Sequence, residues 1–203
     1  MLQPLFLESI KAQNGQYHLL EFHQKRVDQV LKTFFPRRLG LDLQKILPAP
    51  LPEGLFKVRL VYGEKLFEVE SAPYQIVRFQ KAALVQADQL DYAFKYLNRQ
   101  PISNLRSLFK GGEIIIVKNG LLTDSSIANL VLENEQGLFT PQTPLLAGVK
   151  REYLLAKKII TAIPIKPAEL TKFYKIRFIN AMLDLEDDVF IDTEQVSRVF
   201  FDH

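Results

Sequence analysis

Four stretches of the chain hold residue types that could do chemistry. Asp124 interrupts the return arm of an apolar hairpin, and two hydroxyls, Ser125 and Ser126, follow it. An acid and two small polar residues in an otherwise apolar segment are a local conflict, and such conflicts tend to mark sites. His23 and Arg26 are three apart, so on a helix they are neighbours on one side; taken alone, both read as residues of a solvated face. Lys95 sits among Tyr92, Phe94, Tyr96 and Leu97. It is either a snorkelling surface residue or a desolvated amine with a lowered pKa, ready to form a Schiff base. Gly148 directly precedes a helical pattern, where close backbone approach and free N–H groups suit a phosphate.

The totals exclude several classes. The chain has 203 residues, 47% hydrophobic and 24% charged, an ordinary globular balance with room for one large domain or two small ones. Without cysteine there is no disulfide, thiolate metal site or cysteine nucleophile. The histidines His18, His23 and His203 show no metal-ligand spacing, so no metal site is expected. No run of apolar residues is long enough for a membrane span, and the start MLQPLFLESIKAQNGQ lacks a signal-peptide pattern, so a cytoplasmic protein is expected. A net charge of +3, with Lys and Arg spread along the chain, favours a small anionic ligand over nucleic acid.

The elements that must position these residues read as follows. Phe6 to Ala12 alternates like a strand, Asn14-Gly15 is a turn, and Tyr17 to Leu20 is a short partner. Glu21 to Phe35 carries one apolar stripe, Val27, Val30, Leu31, Phe34 and Phe35, and Pro36 stops it. Arg37 to Pro52 is irregular, its end broken by Pro48, Pro50 and Pro52. Leu55 to Tyr62, Lys65 to Glu70 and Tyr74 to Lys81 read as strands. Glu113 to Val117, a type I′ turn at Asn119-Gly120 and a return through Leu121 to Leu132 form the central hairpin. Gly137 to Thr140 is a strand, Val149 to Ala162 a helix, and Ile163 to Ile165, Tyr174 to Ile179 and Val189 to Ile191 are strands.

Taken in order, these segments resemble the class IV aminotransferase family, the fold type IV pyridoxal-phosphate enzymes, and most of all aminodeoxychorismate lyase. The F-E-x-I type segment of the family resembles Leu7-Glu8-Ser9-Ile10, and its H-x-x-R resembles His23-Gln24-Lys25-Arg26. The lyase segment around the Schiff-base lysine is similar to Phe94 to Arg99. The G-x-[IV]-[ST]-E-x-x-x-x-N segment resembles Gly120 to Asn129, with Asp124 in the acid position. The P-G-[IV]-[TM]-R loop resembles Ala147 to Arg151, and the C-N-A-L segment resembles Ile179 to Met182.

The resemblance implies a two-domain α/β (α+β) fold like that of D-amino-acid aminotransferase, with pyridoxal 5′-phosphate in the interdomain cleft. A smaller N-terminal domain would cover residues 1–85 and a larger cofactor-binding domain residues 86–203. Lys95 would carry the cofactor linkage and act as general base. Arg26 would bind the phosphate, with Gly148, Val149, Lys150 and Asn180 also at the cofactor. Asp124 would pair with the pyridinium nitrogen, and Arg59 with a substrate carboxylate. A homodimer is expected, with neither nucleic acid nor membrane as partner. The implied activity is the lyase reaction of folate biosynthesis, which releases pyruvate and leaves 4-aminobenzoate. The alternatives are an aminotransferase for branched-chain or D-amino acids and a non-catalytic relative that binds the cofactor or an anion. The chain departs from the family in having Asp124 for glutamate, Gln100 where aminotransferases often carry tyrosine, Lys150 for threonine or methionine, and no counterpart of the strands that precede the F-E-x-I segment.

Overall fold

A computed structural model describes residues 3–38, 40–48, 53–65 and 67–201. Pro50, Pro52 and His203 lie outside the described residues. The chain divides into a first unit, Met1–Ile76 with Phe94–Asn98, and a second, Val77–Ala93 with Arg99–His203.

In the first unit β1 (Phe6–Gln13), β2 (Gln16–Tyr17), β3 (Leu55–Tyr62) and β4 (Phe67–Pro73) form an antiparallel sheet in the order β2-β1-β3-β4. α1 (Leu20–Phe34) follows β2, and the single turn α2 (Leu43–Ile46) precedes β3. The two-residue period of β1 puts Phe6, Ile10 and Ala12 on one face. They pack with Val58, Leu60 and Tyr62 of β3 and with Val27, Val30 and Leu31 of α1. The same period places Glu8 on that face, where it is fully buried. An acid there requires partners, and α1 supplies them.

The segment Phe94–Asn98 joins this unit because it pairs with the start of β1. Leu7 N donates to Lys95 O at 2.9 Å and Leu97 N donates to Leu5 O at 2.8 Å. The Phe94 ring lies 4.8 Å from Phe34, and the Tyr96 ring 5.2 Å from Phe6. The aromatic residues that flank Lys95 are thus its anchors in the first core. A single boundary after residue 85 is not what the fold adopts: Val77–Ala93 belongs with the second unit and Lys95 with the first.

The second unit holds β5 (Ala82–Gln86), α3 (Gln100–Ser107), β6 (Glu113–Lys118), β7 (Leu121–Ser125), β8 (Asn129–Asn134) and β9 (Gly137–Pro141). Then come α4 (Val149–Ala156), β10 (Thr161–Ile163), β11 (Lys175–Ile179), β12 (Phe190–Asp192) and β13 (Val196–Phe201). The described strands run β10-β9-β8-β7-β6-β5-β13, with β11 paired to β8 and β12. β5 pairs in parallel with β6 and β13. Ala82 to Val85 and Glu113 to Val117 are buried without a break, as strands covered on both faces must be.

Four sequence expectations change here. Tyr74 to Lys81 is no strand; it has no ladder partner, and the buried run that pairs begins at Ala82. The return arm Leu121 to Leu132 is two strands, β7 and β8, parted by a turn at Ser126-Ile127. α4 stops at Ala156, because Lys158 takes a left-handed φ of 57° and Ile159 N closes back on Leu154 O at 2.9 Å. The expected strands Ile163 to Ile165 and Val189 to Ile191 shift by two and one residues to β10 and β12, and the sequence reading missed α2, α3 and β13. The Asn119-Gly120 turn has φ of 51° and 75°, as a type I′ turn requires.

Candidate functional site

In the first unit Glu8, His23 and Arg26 form one buried group. Arg26 sets a fork on the carboxylate, Nε to Oε1 at 2.8 Å and Nη2 to Oε2 at 2.5 Å. His23 Nδ1 meets Oε2 at 2.5 Å. Burial alone would raise Glu8, but the Arg26 charge and the hydrogen bonds from His23 and Arg26 win and hold it at about 2. Burial lowers His23; the Glu8 contacts oppose this, and the charges of Arg26 and Lys95 add to it. A neutral His23 donates from Nδ1, which leaves Nε2 as a buried nitrogen with no hydrogen-bond partner among the described residues. Lys95, half-buried, belongs to the same unit. The two-bond fork on Glu8 fixes the orientation of the Arg26 guanidinium.

In the second unit the acid is aimed by a bulge. Ile115 pairs with Ser125 and Val117 with Leu122, so Thr123 and Asp124 together oppose Ile116. Thr123 Oγ1 fastens the bulge to Ile116 O at 2.9 Å. Asp124 is buried, and its oxygens accept from Asn129 Nδ2 and Leu146 N, each at 2.8 Å. No cation lies within ion-pair distance of it among the described residues. Burial pushes Asp124 up to about 7 despite these hydrogen bonds and the Arg151 charge.

Three side chains hold the turn after Asp124. Glu113 Oε1 accepts from Ser126 N at 3.2 Å, Arg99 donates to Ser126 O, and Asn180 Nδ2 donates to Ile127 O at 3.1 Å. Gly148 is the N-cap of α4, in an extended conformation with φ −75° and ψ 138°. The first intrahelical bond runs from Glu152 N to Gly148 O at 2.9 Å, so the N–H groups of Val149, Lys150 and Arg151 precede the ladder.

The expected site residues therefore fall into groups. Arg26 and Lys95 lie in the first unit; Asp124, Gly148, Val149, Lys150 and Asn180 lie in the second. The Lys150 ammonium pairs with Asp184 and sits 5.5 Å from the Tyr153 ring centre, so that side chain is committed to its own helix and the 184 turn. Asn180 Oδ1 accepts from Met182 N and Leu183 N at 2.8 and 3.1 Å, a turn cap that also braces Ile127. Arg59 is opposite Ser9 in the β1–β3 register, on the sheet face away from Glu8, and pairs with Glu70 at 3.2 Å. Sequence reasoning passed over Glu8, Asn129 and Arg99 as functional residues. Glu8 had a signal, an acid at an inward position of an alternating strand.

Taken one by one, these groups have chemistry that suits parts of pyridoxal phosphate: in the second unit a buried acid for a protonated ring nitrogen and a helix N-terminus for a phosphate, in the first an oriented arginine for a phosphate and a half-buried amine for an aldehyde.

These two acids give opposite pH dependences. Glu8 is depressed from 4.5 to about 2, so its contribution is complete above 4.5 and lost as pH falls toward 2. Asp124 is raised from 3.8 to about 7, so its contribution is present below 3.8 and lost as pH rises through 7. Without cofactor, the contribution of these two groups to stability should peak at about pH 4. If pyridoxal phosphate sets a cation against Asp124, adding it should flatten the alkaline decline; melting curves across pH check this.

No protein-family model matches the chain. An uncharacterised protein of Haemophilus influenzae is 32% identical over 191 residues, 89% of this chain and 98% of that one. A crystal structure of a candidate 4-amino-4-deoxychorismate lyase from Haemophilus somnus 129PT is 32% identical, covers 90% of this chain and 98% of its own, and superposes with a TM-score of 0.82. Two more distant structures share the fold. The 4-amino-4-deoxychorismate lyase of Pseudomonas aeruginosa has a TM-score of 0.69 at 18% identity, over 98% of this chain and 84% of that one. The pyridoxal-phosphate-bound form of a hypothetical aminotransferase from Mycobacterium tuberculosis has a TM-score of 0.69 at 14% identity, over 95% and 81%. The architecture is that of fold type IV, and this chain belongs to the class IV aminotransferase family of pyridoxal-phosphate enzymes.

Proposed function

We propose that this enzyme is a 4-amino-4-deoxychorismate lyase, which releases pyruvate and leaves 4-aminobenzoate. The observation that carries the cofactor assignment is Asp124, a buried acid without a cation, held by two donors on a β-bulge. The 32% identity to the Haemophilus somnus protein supports the lyase rather than another member of the family.

Pyridoxal phosphate, when bound, supplies an electron sink for the bonds at the substrate Cα. Lys95 Nζ would hold the cofactor aldehyde and move the substrate Cα proton as general base. Asp124 would keep the ring nitrogen protonated, and Arg26 and the N–H groups of Val149 and Lys150 are the groups that would bind a phosphate. Glu8 and His23 hold Arg26 in one orientation.

The test begins with purified protein and added pyridoxal phosphate. Borohydride reduction followed by peptide mass spectrometry should place the adduct on Lys95, and the substrate should then yield pyruvate without a keto-acid acceptor. Turnover only with an acceptor would make the enzyme an aminotransferase, the reading favoured by fold neighbours that bear that name. An adduct on Lys95 without turnover would indicate a non-catalytic relative, and adducts scattered over surface lysines would reject the cofactor assignment.

A further inference from the structure

Asn129 does more in this unit than end a motif. Its side-chain Nδ2 donates to Asp124 Oδ1 at 2.8 Å and to Leu146 O at 2.9 Å. Both partners are acceptors, which fixes the orientation of the amide. Leu146 closes the loop, since its own N–H donates to Asp124 Oδ2 at 2.8 Å. The carboxylate, the amide and the Leu146 peptide group thus form one ring of hydrogen bonds. That ring ends two residues before Gly148, the N-cap of α4.

Gly148 is part of the same contact. A Cβ added there would run into Asn129 Oδ1. The backbone at Gly148 is in a conformation open to any residue, so glycine is needed for space and not for φ. Asn129 therefore lies against the α4 entry, with its nitrogen turned to Asp124 and Leu146 and its oxygen turned to Gly148. Asn129 and Asp124 face each other in the β7–β8 register, which brings the amide to the acid. The charged group that acts on Asp124 is Arg151 of α4; Asn129 and the backbone of Leu145 and Leu146 are its other neighbours.

We propose that Asn129 is a positioning residue that couples the acid at Asp124 to the helix N-terminus at Gly148, so that the ring-nitrogen partner and the phosphate cradle are set as one body. This inference rests on the cofactor assignment above. Asp124 has a shorter reach than the family's glutamate, and the Asn129–Leu146 ring holds its carboxylate at a set distance from α4. A role through packing alone makes a different prediction, and two variants separate them. Asn129→Ala removes both donated bonds and opens space over Gly148. Asn129→Ala with Gly148→Ala refills that space with a methyl group but returns no donor.

The first readout needs no cofactor. Carbon-13 carboxyl titration of the apo protein, with Asp124 assigned by its loss in Asp124→Asn, follows the acid directly. We expect the Asp124 midpoint to rise in Asn129→Ala and to stay raised in the double variant, because the bond from Asn129 favours the charged form. The second readout is pyridoxal-phosphate affinity by equilibrium dialysis, expected to fall about tenfold in both variants. Gly148→Ala alone should reproduce Asn129→Ala, since the methyl group evicts the amide. Recovery of both readouts in the double variant would overturn the proposal and leave a packing contact. An unmoved Asp124 midpoint in Asn129→Ala would overturn it as well. A midpoint raised in the variants, with no pyridoxal-phosphate binding by wild type, would support the coupling and defeat the cofactor assignment instead.

Discussion

Lys95→Ala should lower turnover by about a thousandfold or more and remove the borohydride-fixed adduct. The reason is local. Lys95 is held by its backbone, whose carbonyl accepts from Leu7 N at 2.9 Å, and by the rings on either side, Phe94 against Phe34 and Tyr96 against Phe6. Truncation at Cβ leaves all of those contacts in place. Stability should stay within about 0.5 kcal/mol of wild type, so the loss is one of chemistry and not of fold. Kinetics, melting temperature and adduct mapping on the same preparation check this. Retention of more than about a tenth of wild-type turnover would remove Lys95 from the general-base role.

Asp124→Asn should cost about 10²–10³ in kcat, a loss borne mainly by turnover. The amide keeps the shape of the acid but cannot hold a proton on a ring nitrogen. It also leaves one of the two donors, Asn129 Nδ2 or Leu146 N, facing an N–H group, at about 1–2 kcal/mol. The variant should therefore be less stable than wild type in acid. Its apo form should lack the decline that wild type shows as pH rises from 3.8 through 7, since that decline belongs to the ionisation of Asp124. Melting curves at several pH values, with and without cofactor, separate the two effects. An unchanged alkaline decline in Asp124→Asn would mean that another group titrates there.

Much of the candidate site was legible because its chemistry lies in short segments. His23 and Arg26 share a helix face, the acid of the central hairpin stands out against apolar neighbours, and Gly148 precedes a helix. What those side chains contact was not legible. Arg26 reads equally well as a solvated face residue until β1 brings Glu8 beneath it, 18 residues away in sequence. The partner of the Lys150 ammonium is Asp184, 34 residues on. Asn180 reads as a strand end or a site residue, and the fold uses it to cap one turn and brace another.

The sequence alone determined β1, β3 and β6, the type I′ turn and the apolar stripe of α1, because period and turn chemistry are local properties. It also carried the order of motifs from which the family follows. Tertiary structure decided the rest. The bulge at Thr123-Asp124 exists only against Ile116, and no single strand records a register shift. The assignment of Lys95 to the first unit depends on aromatic packing against Phe6 and Phe34. The pKa values of Glu8 and Asp124 move in opposite directions although both acids are buried, because one meets Arg26 and His23 while the other meets only neutral donors at hydrogen-bond distance. Burial is suggested by pattern, but the partner that offsets its cost comes from a distant part of the chain.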